Sequence, residues 1–88
     1  MNYKDPRECI DRGNVARRAG RLEEALAHYR SALDAAPDNA EASSLYGLVL
    51  VHLGKPAEAE AALRKAVSIE PRHVGYWMNL AALFDRSD

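Results

Sequence analysis

Apolar residues along the chain recur in a helical rhythm. Leu22, Ala25, Leu26, Tyr29, Ala32 and Leu33 follow one another at spacings of three and four, the period of a helix with one buried face. The rhythm returns in Ala59, Ala62, Leu63, Ala66 and Val67, and again in Trp77, Leu80, Ala81, Leu83 and Phe84. Residues 45–53, Leu-Tyr-Gly-Leu-Val-Leu-Val-His-Leu, break it with nine uncharged positions in a row. By composition alone that run suits a buried strand, and it is far shorter than the roughly 20 apolar residues that cross a bilayer.

Its neighbours make it a helix. Asp5 can cap a first helix, Pro6 suits the first helical position, and Glu8 completes an Asp-x-x-Glu capping box. That helix runs to about Ala19, where Gly20 can take the left-handed conformation that ends it. A second helix follows within two residues and stops before Pro37, because the residue ahead of a proline is pushed out of helical geometry. Asp38 and Glu41 repeat the capping signature, so a third helix runs from about Asn39 to Leu53 and ends at Gly54. Pro56 opens a fourth, which stops before Pro71, and a fifth covers about Val74 to Arg86. The pattern predicts an all-α chain of five helices with no linker or second domain.

A shift of 34 residues superposes Gly13 on Gly47, Val15 on Val49, Gly20 on Gly54, Glu24 on Glu58 and Ala25 on Ala59. It also superposes Ala27 on Ala61, Arg30 on Arg64, Ala32 on Ala66 and Pro37 on Pro71. Small residues let antiparallel helices approach closely and breakers fix hairpin length, so identities at these positions mark a repeated hairpin.

A 34-residue helix-turn-helix period with these marks resembles the tetratricopeptide repeat over essentially the whole chain. The family's Trp-x2-Leu-Gly-x2-Tyr element stands most fully as Trp77, Leu80, Ala81 and Phe84. It is weaker around Tyr46, Gly47 and Leu50, and weakest around Cys9, Arg12, Gly13 and Ala16. Its later positions are matched by Ala25, Tyr29, Ala32 and Pro37, then by Ala59, Leu63, Ala66 and Pro71. The resemblance implies an α-solenoid of antiparallel hairpins forming a single domain, 1–88. Repeat one is 6–39, repeat two is 40–73, and 74–88 supplies the first helix of a third.

In such arrays the first helix of each repeat lines a concave wall. That places Ile10, Asn14, Arg17 and Arg18 there from the first helix, Leu45, Leu48, Val51 and His52 from the third, and Met78 and Asn79 from the fifth. Chaperone-binding members clamp a terminal carboxylate with two lysines, two asparagines and an arginine. The matching positions here are Ile10, Asn14, Leu45, Gly75 and Asn79, and only Asn14 agrees, so that reading is rejected for want of cationic donors. What remains is a groove with an apolar floor (Ile10, Leu45, Leu48, Val51, Met78) and a basic edge (Arg17, Arg18). It suits an amphipathic helix or extended apolar peptide with an acidic flank. The plain alternative is that these side chains pack among themselves or against a second copy. The run at 45–53, apolar all round, expects burial all round, and the pattern predicts too little cover for it on the groove side. Trp77, Leu80 and Phe84 form an open end where a sixth helix would pack, suited to self-association or to a further helix of a longer protein.

Composition narrows the function. Twelve basic against thirteen acidic residues give a net charge of −1, which is no footprint for nucleic acid or an anionic membrane. A single cysteine, Cys9, and a charged start at 1–8 fit a reducing cytoplasmic interior. Cys9 is read as a small packing residue, and His28, His52 and His73 have no metal-ligand spacing. No phosphate loop or nucleophile motif is present, so neither a cofactor nor a catalytic residue is expected. The first reading is a cytoplasmic adaptor module that binds a protein or peptide. The others are an N-terminal recruitment domain of a larger enzyme, such as a transferase, and a structural unit that self-assembles through its last helix.

Overall fold

The computed structural model describes residues 5–85, and among them the chain forms five helices. These are α1 (Pro6–Arg18), α2 (Leu22–Ala35), α3 (Ala40–His52), α4 (Pro56–Ile69) and α5 (Val74–Asp85). The all-helical expectation holds. Arg86, where the fifth helix was expected to end, lies outside the described residues.

Helix starts share one register. Asp5 accepts the backbone N–H of Arg7 at 3.0 Å, Asn39 that of Ala42 at 2.9 Å, and the His73 Nδ1 that of Tyr76 at 3.3 Å. The cap of α3 is therefore Asn39 and not Asp38, and the acidic residues expected to complete capping boxes are engaged elsewhere. Glu8 takes the Arg12 guanidinium one turn on at 2.9 Å, and Glu41 takes Arg7. His73 also stacks on the Tyr76 ring with centroids 3.6 Å apart.

The ends of α1 and α3 obey the glycine rule. Gly20 and Gly54 have φ of +81° and +76°, the left-handed region that glycine enters without penalty. Behind them Arg21 N–H reaches the Ala16 carbonyl and Lys55 N–H the Leu50 carbonyl, both at 2.9 Å, closing the same six-residue ring at each hairpin bend.

α1 packs on α2 and α3 on α4, while α3 also lies against α2 and touches α5, which rests on α4. Within each hairpin a glycine sits at a close approach of the two helices. At Gly13 the space of a Cβ is filled by the Tyr29 ring, and at Gly47 an added Cβ would lie 2.7 Å from Leu63 Cγ and Cδ2. Tyr29 and Leu63 are themselves 34 residues apart, so both hairpins close on one large side chain seated over a glycine. Around them Ala16, Ala25, Tyr29 and Val49 form one buried cluster, and Leu50, Val51, Ala59, Leu63, Val67, Leu80 and Leu83 another.

The apolar run in α3 finds more cover than its sequence promised. Gly47, Val49, Leu50 and Val51 are buried, Leu45, Tyr46, Leu48 and Leu53 half-buried, and only His52 is exposed. The reason is position: α3 is central and meets α2, α4 and α5. The shortage of cover lies instead on α5, whose Val74, Trp77, Met78 and Phe84 are 69%, 47%, 64% and 48% exposed.

Replacing Gly47 by Ala forces Leu63 and the neighbouring backbone apart, since the Ala59 carbonyl oxygen lies 3.2 Å from the new Cβ as well. The expected loss is about 1–3 kcal/mol of unfolding free energy, the usual cost of overpacking, measured by urea denaturation. A Gly47→Ala chain as stable as the parent would show that the hairpin does not depend on this approach.

Candidate functional site

The face built by α1, α3 and α5 is joined by polar contacts between neighbouring helices. At one end the Arg7 guanidinium straddles the Glu41 carboxylate at 2.9 and 3.2 Å, linking α1 to α3, and Arg7 also reaches Asp11 at 3.2 Å. These carboxylates hold the Arg7 pKa above its ordinary value, the hydrogen bond that Arg7 donates to Glu41 contributing most. Between α3 and α5, Asn79 Nδ2 donates to the buried Ser44 hydroxyl at 2.7 Å. Ser43, also buried, donates to the Ala62 carbonyl of α4 at 2.8 Å.

The repeat register explains which residues stay accessible. Ile10, Ser44 and Met78 occupy equivalent places at intervals of 34. Ile10 is fully buried with Cys9, Ala32 and Ala42, and Ser44 is buried against Asn79, so this position packs on the next helix of the row. Met78 is exposed because no described helix follows α5. Ile10 is thus a contact between successive repeats and not groove floor, while Met78, at the same register, stays exposed on α5. Val51 is buried in the core cluster with Leu80, and half-buried Leu45 packs against the Ile10 cluster. Of the expected apolar floor, Leu48, half-buried near the middle of the face, and exposed Met78 on α5 stay accessible.

Around Leu48 the face is rich in hydrogen-bond donors. Asn14 and Arg17 are half-buried on α1, while Arg18 and His52, which are equivalent positions, are exposed. Asn14 and Arg17 converge on the fully buried Tyr29. Its hydroxyl donates to Asn14 Oδ1 at 2.6 Å and accepts from Arg17 Nε at 3.1 Å. Repeat two replaces all three by apolar residues, Leu48, Val51 and Leu63. Sequence reasoning placed Asn14 and Arg17 on this face but missed Tyr29 as their common partner. The available signal was a tyrosine in a core position where the next repeat has leucine.

At the other edge, Leu80 of the expected open end is buried against α4, so it is core and not interface. Trp77 stays half-exposed, its indole N–H donating to the Pro71 carbonyl at 2.6 Å, and Arg64 lies over the Phe84 ring at 5.9 Å. A shallow cleft beside Phe84 is lined by Pro56, Ala57, Glu60 and Leu83. Cys9 is buried and unpaired. Among the described residues no group of three or more His, Cys, Asp or Glu could hold a metal ion, and no helix is long and apolar enough to cross a membrane.

The family model described as tetratricopeptide repeat matches residues 10–74. Superkiller complex protein 3 of Mus musculus is 28% identical over 86 residues, 98% of this chain and 6% of that protein. Tetratricopeptide repeat protein 37 of Xenopus laevis is 30% identical over 86 residues, again 98% of this chain and 6% of the relative. Protein O-mannosyl-transferase TMTC3 of Mus musculus is 36% identical over 64 residues, 73% of this chain and 7% of the transferase. The chain spans well under a tenth of the length of these curated relatives.

The Arg7–Glu41 pair ties α1 to α3 but stands about half in solvent. A double-mutant cycle with Arg7→Ala and Glu41→Ala is expected to give a coupling of about 0.5 kcal/mol, fading with added salt. A coupling several times larger and insensitive to salt would make the pair a structural anchor of the row.

Proposed function

The chain belongs to the tetratricopeptide repeat family, and we propose that it is a non-catalytic module that holds a partner protein segment across α1, α3 and α5. Repeats of this family generally mediate protein–protein interaction. The observation that supports this face is Leu48. It is an aliphatic side chain left half-open on an otherwise well-covered central helix, with Asn14, Arg17, Arg18 and His52 disposed on the same row of helices. A partner helix or extended segment with an aliphatic residue to set on Leu48 gains apolar burial there, and the surrounding donors orient it. A lone buried cysteine suits a reducing cytoplasmic setting. The likeness to a stretch of a transferase is compatible with the same role inside a larger enzyme, where the module would recruit and not catalyse.

A second reading rests on α5. Val74, Trp77, Met78 and Phe84 leave an apolar outer arc on the last described helix, where a second copy of the chain could pack. Four side chains on one helix are fewer than the roughly 20–30 residues a side of a stable interface, so association is expected only at high concentration.

Leu48→Glu places a charge on the centre of the proposed binding face without entering the buried core. Capture of a partner from the source cell is expected to fall at least about tenfold while the melting temperature stays within a few degrees, a loss of one well-placed apolar contact plus its desolvation cost. Undiminished capture by a folded Leu48→Glu chain would remove this face from consideration. For the second reading, sedimentation or light scattering over a concentration series is expected to show reversible dimers that Trp77→Glu abolishes. A chain that stays monomeric throughout would dismiss it.

A further inference from the structure

We propose that Asn14 and Arg17 together form a preorganised receptor for a carboxylate side chain of the partner segment, with Tyr29 as the residue that positions both. The inference deepens the reading of the α1–α3–α5 face as the binding surface and rests on it.

Proton accounting carries the argument. The Tyr29 hydroxyl has one hydrogen and accepts one, and Arg17 Nε, a donor only, occupies its accepting side at 3.1 Å. The hydroxyl hydrogen must then go to Asn14, at 2.6 Å, and only an oxygen can receive it. This orients the amide: Oδ1 faces Tyr29 and the Asn14 NH2 group faces away from it. Arg17, held through Nε, likewise leaves both terminal nitrogens free to form the planar fork that matches a carboxylate. The two residues lie one turn apart on α1 and are half-buried, so the donors are held on a fixed hydroxyl and not on flexible stems.

The charges nearby favour an acidic ligand. Arg7, Arg12, Arg21 and Arg64 all contact carboxylates, whereas among the described residues Arg17 meets only the Tyr29 hydroxyl and Arg18 has no ion-pair partner. Asp11 and Glu41 are held by Arg7 at the other end of the face. His52, in register with Arg18, adds a further nitrogen and no negative charge. Asp85 stands two helices away, at the α5 position equivalent to Arg17, and makes no ion pair with it. A hairpin needs none of this to close, since repeat two closes with Leu48, Val51 and Leu63 at the same three positions. The polar trio of repeat one is therefore more than packing requires. The occupant it fits is a segment with Asp or Glu placed to reach α1 when an aliphatic residue sits on Leu48.

The test uses the whole chain and a phage-displayed library of random dodecapeptides. Peptides enriched on the parent chain are expected to share an acidic residue at a fixed distance from an aliphatic one. The best of them is then synthesised with Glu and with Gln at the acidic place, and binding is followed by fluorescence polarisation. The parent is expected to prefer the Glu peptide about tenfold, the scale of a charged hydrogen bond at a partly solvated site. Arg17→Gln should abolish the preference, weakening the Glu peptide about tenfold more than the Gln peptide. Tyr29→Phe, which retains both donors but frees them, should narrow it.

As a folding control, the triple change Asn14→Leu, Arg17→Val and Tyr29→Leu imports the trio that repeat two already tolerates, and it too should bind both peptides alike. Enriched peptides without an acidic residue, or a preference that survives Arg17→Gln or the triple change, would overturn the proposal. Failure of the underlying face would look different: Leu48→Glu would then leave binding of both peptides untouched.

Discussion

A glycine under a large side chain sets the geometry of both hairpins. Gly13 receives the ring of Tyr29 and Gly47 receives Leu63, and at each the absent Cβ is what lets the second helix settle against the first. Once that approach is made, the bend glycines, Gly20 and Gly54, have only to reverse the chain at the right length. The hairpin so formed has buried one face of each helix and no more. Its other faces must be covered by the next hairpin, as a solenoid requires. α3, with neighbours before and after, is well covered; α5, with α3 and α4 on one side, keeps an apolar outer arc.

The fold was legible because its signals are local or strictly periodic. A proline or a bend glycine acts within a few residues, and the identities at 34-residue intervals turn one hairpin into two. Caps were less legible for a simple reason. Asp38 and Asn39 stand side by side and either can accept a backbone N–H. Glu41, which favoured Asp38 by spacing, is drawn off by Arg7 from the preceding repeat. A local rule cannot anticipate a competitor 34 positions away.

The row of α1, α3 and α5 was legible in outline, and the burial of Ile10 and Val51 on it was not. Sequence alone groups residues by helical face, and Ile10, Val51 and Met78 share a face with Asn14 and Leu48. Burial, however, depends on whether the next helix in the row covers a position. Ile10 is covered and Met78, at the same register, is not. An exposed methionine and a buried isoleucine thus report one packing position with and without a described helix beyond it. The same logic moves Leu80 from the open end into the core, where α4 meets it.

Comparison of the two repeats then separates what stacking needs from what it does not. Alanines that both repeats share at 25 and 59 and at 32 and 66 are buried in each and carry the architecture. The trio Asn14, Arg17 and Tyr29 departs from its apolar counterpart at three places at once, and the three side chains touch. Introducing a tyrosine hydroxyl into a buried position costs stability unless it is satisfied on both its donating and accepting sides, and a single polar neighbour could satisfy only one. The three polar residues are therefore linked: removing Asn14 leaves the hydroxyl hydrogen without its acceptor, removing Arg17 empties the hydroxyl's accepting side, and removing the hydroxyl releases both partners. A feature of that kind is not reached by one neutral substitution in a packing surface. Its outward donors, an amide and a guanidinium on the row of first helices, are the part of repeat one that packing leaves unexplained and binding would use.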